Sequence, residues 1–198
     1  EILLMVMAAA MPIAFWAWVV LLNNFTVEVA SFTGKEIGIL QSLREVPGFL
    51  SFLVVYLLLI IAEQRLALLS VFILGVGVAL TGYFPTIIGL YITTVISSIG
   101  FHYYEACHQS LSLQWLDKKT APERMGLIYS VASVAKFLVL GAIFTVYLLS
   151  LPEISWHALA SSTGLATGLN SYQFTYFFTG LVTCGLAVVA YTIFPQFN

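Results

Sequence analysis

The chain is a succession of apolar runs separated by short polar turns, each run about as long as the ~20 residues that cross a bilayer as a helix. Lipid offers no hydrogen bonds to a backbone, so runs of this kind must be helices. Hydrophobic residues make up 61% of the sequence and charged residues 8%, with a mean hydropathy of +1.01. A soluble domain carries about 25% charged residues. The composition therefore implies an all-α integral membrane protein with the lipid bilayer as its solvent. The number of runs excludes a cleaved signal peptide as their explanation. A net charge of −2 supplies no basic surface, which excludes nucleic acid as a partner. There is no Gly-x-Ser-x-Gly, no His-Glu-x-x-His and no glycine-rich phosphate loop. The expectation is a protein that is not an enzyme and has no cofactor, driven by an ion gradient or by its solute's own gradient.

Six spans are predicted, over residues 2–22, 35–61, 66–83, 86–116, 124–149 and 171–194, forming a single domain over 1–198. Pro12 in the first span and Pro47-Gly48 in the second predict kinks. Trp16 and Trp18, near the predicted end of the first span, suit an interfacial belt. Gly75, Gly77 and Ala79 give the third span a small-residue face for close packing. The fourth span is longer than a bilayer needs and is expected to tilt or protrude. In the loop 151–170, Ile154, Trp156 and Leu159 are expected to lie along the interface, and His157 at the surface. Cys107 and Cys184 both fall in apolar helices and read as inert buried thiols. An even number of spans places both ends on one side. Arg65, Lys118, Lys119 and Arg124 follow spans 2 and 4, whereas only Lys35 lies near the opposite loops, so the positive-inside bias makes both ends cytoplasmic. The chain is expected to be part of a longer protein.

The chemistry concentrates in residues 91–112. At about 100° per residue, Thr94, Ser98, His102, Glu105, Gln109 and Ser112 share one helical face. Ile96, Ile99, Phe101, Ala106, Cys107 and Leu111 occupy the others. Lipid cannot solvate such a stripe, so it must face protein or a water-filled cavity, and the rest of the chain is expected to build that cavity. Glu105 reads as a proton-coupling site, or as a static ion pair with Lys136 or Arg44. Lys136, level with it on span 5, either attracts an anionic substrate or neutralises Glu105. Arg44 and Glu45 on span 2 lie about 100° apart and are expected not to face one way. Arg44 shares its face with Gln41, Gly48 and Ser51, which makes it either a cavity residue or an interhelical contact to backbone carbonyls near the outer leaflet, and Glu45 is a second candidate for the proton role. His102 and Gln109 either hydrogen-bond substrate, with His102 able to pass protons, or serve as satisfied interhelical contacts. His102, Glu105 and His108 are suitable metal donors. His108, however, is turned about 120° from His102, so no metal site is expected.

Pro122-Glu123-Arg124-Met125-Gly126, where the charged 4–5 loop enters span 5, resembles the P-x-x-R-G-type signature of the major facilitator superfamily, with one residue extra between Arg and Gly. Ala62-Glu63-Gln64-Arg65 resembles that family's Gly-x-x-x-Asp-Arg-x-Gly-Arg-Arg loop between spans 2 and 3. There Gln64 stands for Asp, Ile60 and Ala67 for the two glycines, and Leu68-Leu69 for the basic pair. The six-span layout resembles the N-terminal half of such a transporter. The resemblance implies two inverted three-helix repeats, with helices 1, 2, 4 and 5 lining a central cavity and helices 3 and 6 peripheral. It implies a secondary active transporter moving a small solute by alternating access coupled to protons, an anion being one option for the solute. A second six-helix half, from the same gene or a partner chain, and residence in a bacterial inner membrane are implied with it. The altered 2–3 loop favours a different reading, a transport-inactive relative serving as a structural or assembly subunit of a membrane complex.

Overall fold

The computed structural model describes residues 1–149 and 171–195. Its helices are α1 (Ile2–Glu28), α2 (Gly34–Phe49), α3 (Val54–Leu58), α4 (Glu63–Thr81), α5 (Ile87–Trp115), α6 (Ala121–Leu149) and α7 (Ser171–Ile193). A 3₁₀ turn over Leu50–Leu53 joins α2 to α3, so the two make one span, Gly34–Leu58. Six helices among the described residues are thus long and apolar enough to cross a membrane, and the protein is an integral membrane protein. The expected interfacial placement of Ile154, Trp156, His157 and Leu159 lies outside the described residues.

The first two spans differ from the expectation for physical reasons. The first span continues to Glu28 rather than ending at 22, because Phe25 and Thr26 are fully buried and hold the last turns against the bundle. The Thr26 hydroxyl donates to the Asn23 carbonyl at 2.8 Å. Trp16 and Trp18 therefore lie at the centre of the span, and Trp18 is fully buried, not in an interfacial belt. The second span is not one continuous helix. Pro47 lacks the N–H its turn requires, and the helix gives way to the 3₁₀ turn just beyond Gly48. Helix α1, by contrast, continues through Pro12. Starts are set by caps. The Glu36 carboxylate accepts from the Thr33 backbone N–H at 2.9 Å and from the Thr33 hydroxyl, and Thr86 Oγ1 accepts from the Gly89 N–H at 3.1 Å. Pro122 falls in the first turn of α6, where a missing N–H costs nothing.

Small residues decide which spans touch. A Cβ placed on Gly77 would stand 2.8 Å from the Ser97 backbone nitrogen, and one on Gly100 would stand 2.7 Å from the Ser70 carbonyl oxygen. Helices α4 and α5 therefore approach backbone to backbone. On another face of α4, a Cβ on Gly75 would meet the Gly180 carbonyl oxygen at 2.8 Å, and one on Gly180 the Ala79 nitrogen at 2.6 Å. Without a hydrophobic drive in lipid, such close contact is what holds helices together. The third span is consequently the most buried of the six, seated on α5 and α7 and touching α1. Helix α1 packs on α6 and α7, and α5 also packs on α2. Helix α6 is the least buried span and packs chiefly on α1. Both ends of the described chain lie on one face of the bundle, where Glu1 pairs with Arg124 at 3.3 Å and Gln64 donates to the Pro195 carbonyl at 2.9 Å.

Candidate functional site

The polar stripe of the fourth span does not behave as one surface. Thr94, Ser98 and Ser112 are buried against neighbouring helices, His102 and Glu105 are half-buried, and Gln109 is exposed. The supposedly apolar side of the helix contributes the core instead: Cys107 is fully buried and Leu111 nearly so. The reason lies in size. Serine and glycine let α4 and α2 come close, so the small end of the stripe is consumed in packing. The Ser98 hydroxyl donates to the Arg44 carbonyl on α2. Ser112 returns its hydroxyl to the His108 carbonyl at 2.7 Å.

Two voids among the described residues lie away from the stripe. One, of about 780 Å³, lies where the chain ends meet, beside Glu1, Ile2, Trp115 and Phe194. Another, of about 330 Å³, lies among Ile13, Leu138, Ile143, Phe178 and Val182 of spans 1, 5 and 6. Neither includes a stripe residue. Cysteine labelling tests the uneven burial of the stripe. In a background lacking Cys107 and Cys184, a cysteine at Gln109 is expected to react readily with a polar thiol reagent, and one at Ser98 or Ser112 slowly. Fast labelling at Ser98 would show that the stripe is wet along its whole length.

Four charged side chains, those of Arg44, Glu45, Glu105 and Lys136, lie in the middle stretches of their spans. Arg44 and Glu45, expected to diverge, form a pair, with Arg44 Nη2 2.9 Å and Nε 3.0 Å from Glu45 Oε1. Both side chains are long enough to close the angle that separates their Cα–Cβ directions. The Glu45 side chain remains 63% exposed. His102 sits on the same surface. A Cβ at Gly48 would fall 2.7 Å from its ring, so the imidazole lies directly on the span 2 backbone one turn from Arg44. Phe101 meets His102 edge-on at 4.9 Å and stacks on Phe15 of span 1 at 4.0 Å between centroids.

Glu105 and Lys136 do not form the expected ion pair. The Lys136 ammonium instead lies over the Trp16 ring, 3.5 Å from its centroid, at the centre of spans 5 and 1. The ring quadrupole attracts the cation without neutralising it. The Glu105 carboxylate accepts only a long contact from Gln109 Nε2 at 3.4 Å, one turn along its own helix. With no shared contact, the stability losses of Glu105→Gln and Lys136→Met are expected to add within about 0.5 kcal/mol in thermal unfolding in detergent. A double variant that regains stability would reveal a pair.

Two residues that the sequence pattern places elsewhere belong to this centre. Trp16 falls at the membrane surface only if the first span ends at 22, and Gly48 reads in the sequence as no more than part of a kink. His108, off the stripe, serves the fold, because its Nε2 lies 3.1 Å from the Leu4 carbonyl oxygen. A carbonyl can only accept, so Nε2 carries the proton and ties span 4 to span 1. No group of three or more His, Cys, Asp or Glu side chains able to hold a metal occurs among the described residues. Comparison with protein-family models, with curated proteins and with solved structures finds no match.

Proposed function

We propose that this chain is one six-helix half of a secondary active transporter that moves a small solute by alternating access, coupled to protons. The observation that carries the reading is the position of its mid-membrane charges. Arg44, Glu45, Glu105 and Lys136 all lie on spans 2, 4 and 5, and spans 2 and 5 are the two least buried. A largely exposed carboxylate such as Glu45 cannot face hydrocarbon at this depth, and it requires a water-filled cavity or a second protein surface opposite. Intramembrane charges on spans 2, 4 and 5, two of which are the least buried, fit a translocation pathway completed by another half.

The packing supports the repeat arrangement. Span 1 packs on spans 5 and 6 as span 4 packs on spans 2 and 3, and spans 3 and 6 pack on each other. Exchanging the first three spans for the last three maps these principal contacts onto themselves. Successive spans run in opposite directions, so a symmetry that pairs span 1 with span 4 must be inverted. With Arg65, Lys118, Lys119 and Arg124 on the face that holds both chain ends, that face is the cytoplasmic one in this reading.

The protein reconstituted in proteoliposomes is expected to accumulate a labelled solute under an imposed pH gradient and to lose it on adding a protonophore. The altered 2–3 turn, with Ile60, Ala67 and Leu68-Leu69 at the family's glycine and basic positions, favours the second reading, a transport-inactive subunit. Absence of gradient-driven accumulation, together with co-purification of a stoichiometric membrane partner, would establish that alternative.

A further inference from the structure

The balance of charge among the mid-membrane groups leads one step further and rests on the transporter reading. Arg44 and Glu45 cancel each other in a 2.9 Å pair. Lys136 is left with no carboxylate and no hydrogen-bond acceptor among the described residues, its ammonium resting on the neutral Trp16 ring. An ammonium has three N–H donors to place. Glu105 is left with the neutral Gln109 alone. With the His102 imidazole neutral, the set is one compensated pair, one fixed cation and one separate carboxylate that can take up a proton.

We infer that the solute is a monovalent organic anion, bound at Lys136 beside Trp16 and carried together with one proton on Glu105. With Glu105 ionised and Lys136 unoccupied, the four charges sum to zero. Protonating Glu105 alone leaves +1, and binding a monoanion alone leaves −1. Net charge held in the membrane is costly, so both half-loaded states are disfavoured. Only the empty carrier and the carrier holding proton and anion together are neutral. Each ligand thus raises the affinity for the other, and the coupling is reciprocal. The proton enters the Glu105 carboxylate from one side and leaves it on the other, the anion travels unchanged, and no net charge crosses. A dianion would leave the loaded state at −1, and a neutral solute would leave it at +1.

The test uses proteoliposomes of the protein with labelled lactate, gluconate and nicotinate as probes, lactamide and glucose as neutral counterparts, and succinate as a dianion. Saturable accumulation of at least one monoanion is expected under a pH gradient. Clamping the membrane potential with potassium and valinomycin is expected to leave it unchanged. Lys136→Gln is expected to weaken its binding by about thirtyfold or more, while Lys136→Arg retains it. Transport of lactamide, glucose or succinate in preference to every monoanion overturns the inference and leaves the transporter reading standing. So does an uptake that carries current. A pH gradient that drives none of the six solutes overturns both.

Discussion

Valine in place of Gly100 is expected to be among the most destabilising single changes in the protein. The new side chain would enter the seam between spans 3 and 4, where even a Cβ stands 2.7 Å from the Ser70 carbonyl oxygen and 2.8 Å from Leu74 Cα. Both obstacles are backbone, so no rotamer change relieves the clash and the helices must separate. Overpacking usually costs about 1–3 kcal/mol, and separation of a whole seam belongs at or above the top of that range. For a chain of this size, ~3 kcal/mol corresponds to a Tm lowered by about 6–12 °C. Gly180→Val is expected to act similarly through span 6, where the obstacle is the Ala79 backbone. Gly141 provides the control. Nothing lies within 4 Å of a Cβ there, so Gly141→Ala is expected to be neutral or to stabilise by up to about 1 kcal/mol through helix propensity. Equal melting temperatures for Gly100→Val and Gly141→Val would show that the seam is not the stabilising contact.

Glu105→Gln is expected to abolish accumulation driven by a pH gradient while sparing exchange of labelled for unlabelled solute. Glutamine keeps the size and hydrogen-bonding of the protonated acid but cannot release a proton, so a carrier bearing it is fixed in the loaded protonation state. Exchange requires no net proton movement and continues. Because the Glu105 carboxylate has no polar contact among the described residues beyond the long one from Gln109, the substitution should disturb the fold little, and loss of accumulation can be read as loss of coupling. Undiminished gradient-driven uptake would remove Glu105 from the proton path and transfer the role to Glu45 or His102, which share the span 2 surface.

The span count and the small-residue face of span 3 are legible in the sequence, because both rest on composition over many residues. Gly75, Gly77 and Ala79 do meet neighbouring backbones or close-packed side chains. The pairing of charges is not legible. Counting residues places Glu105 and Lys136 at similar depth, but depth says nothing about which face of span 5 turns toward span 1. That rotation is set by the α1–α6 seam, and it delivers Lys136 to Trp16. The Arg44–Glu45 pair escapes a reading of Cβ directions, because the guanidinium lies several bonds from its backbone and reaches well beyond them. The split of the stripe has a readable signal. Its two ends are small hydroxyl residues suited to packing, and only its middle carries groups too large and polar to be absorbed between helices.

The central position of the third span also bears on how the protein is made. Helix α4 is synthesised before α5 and α7, the two helices it packs on most extensively. Until they arrive, its glycine faces have only lipid beside them: the face that receives Ser97 is covered with span 4, and the face that receives Gly180 only with span 6. Nascent chains released after span 3 would leave both faces open to any passing helix, and chains released after span 4 the Gly180 face alone. The third span is thus left with an uncovered close-packing face until the sixth helix, the last of the six to be made, closes onto it.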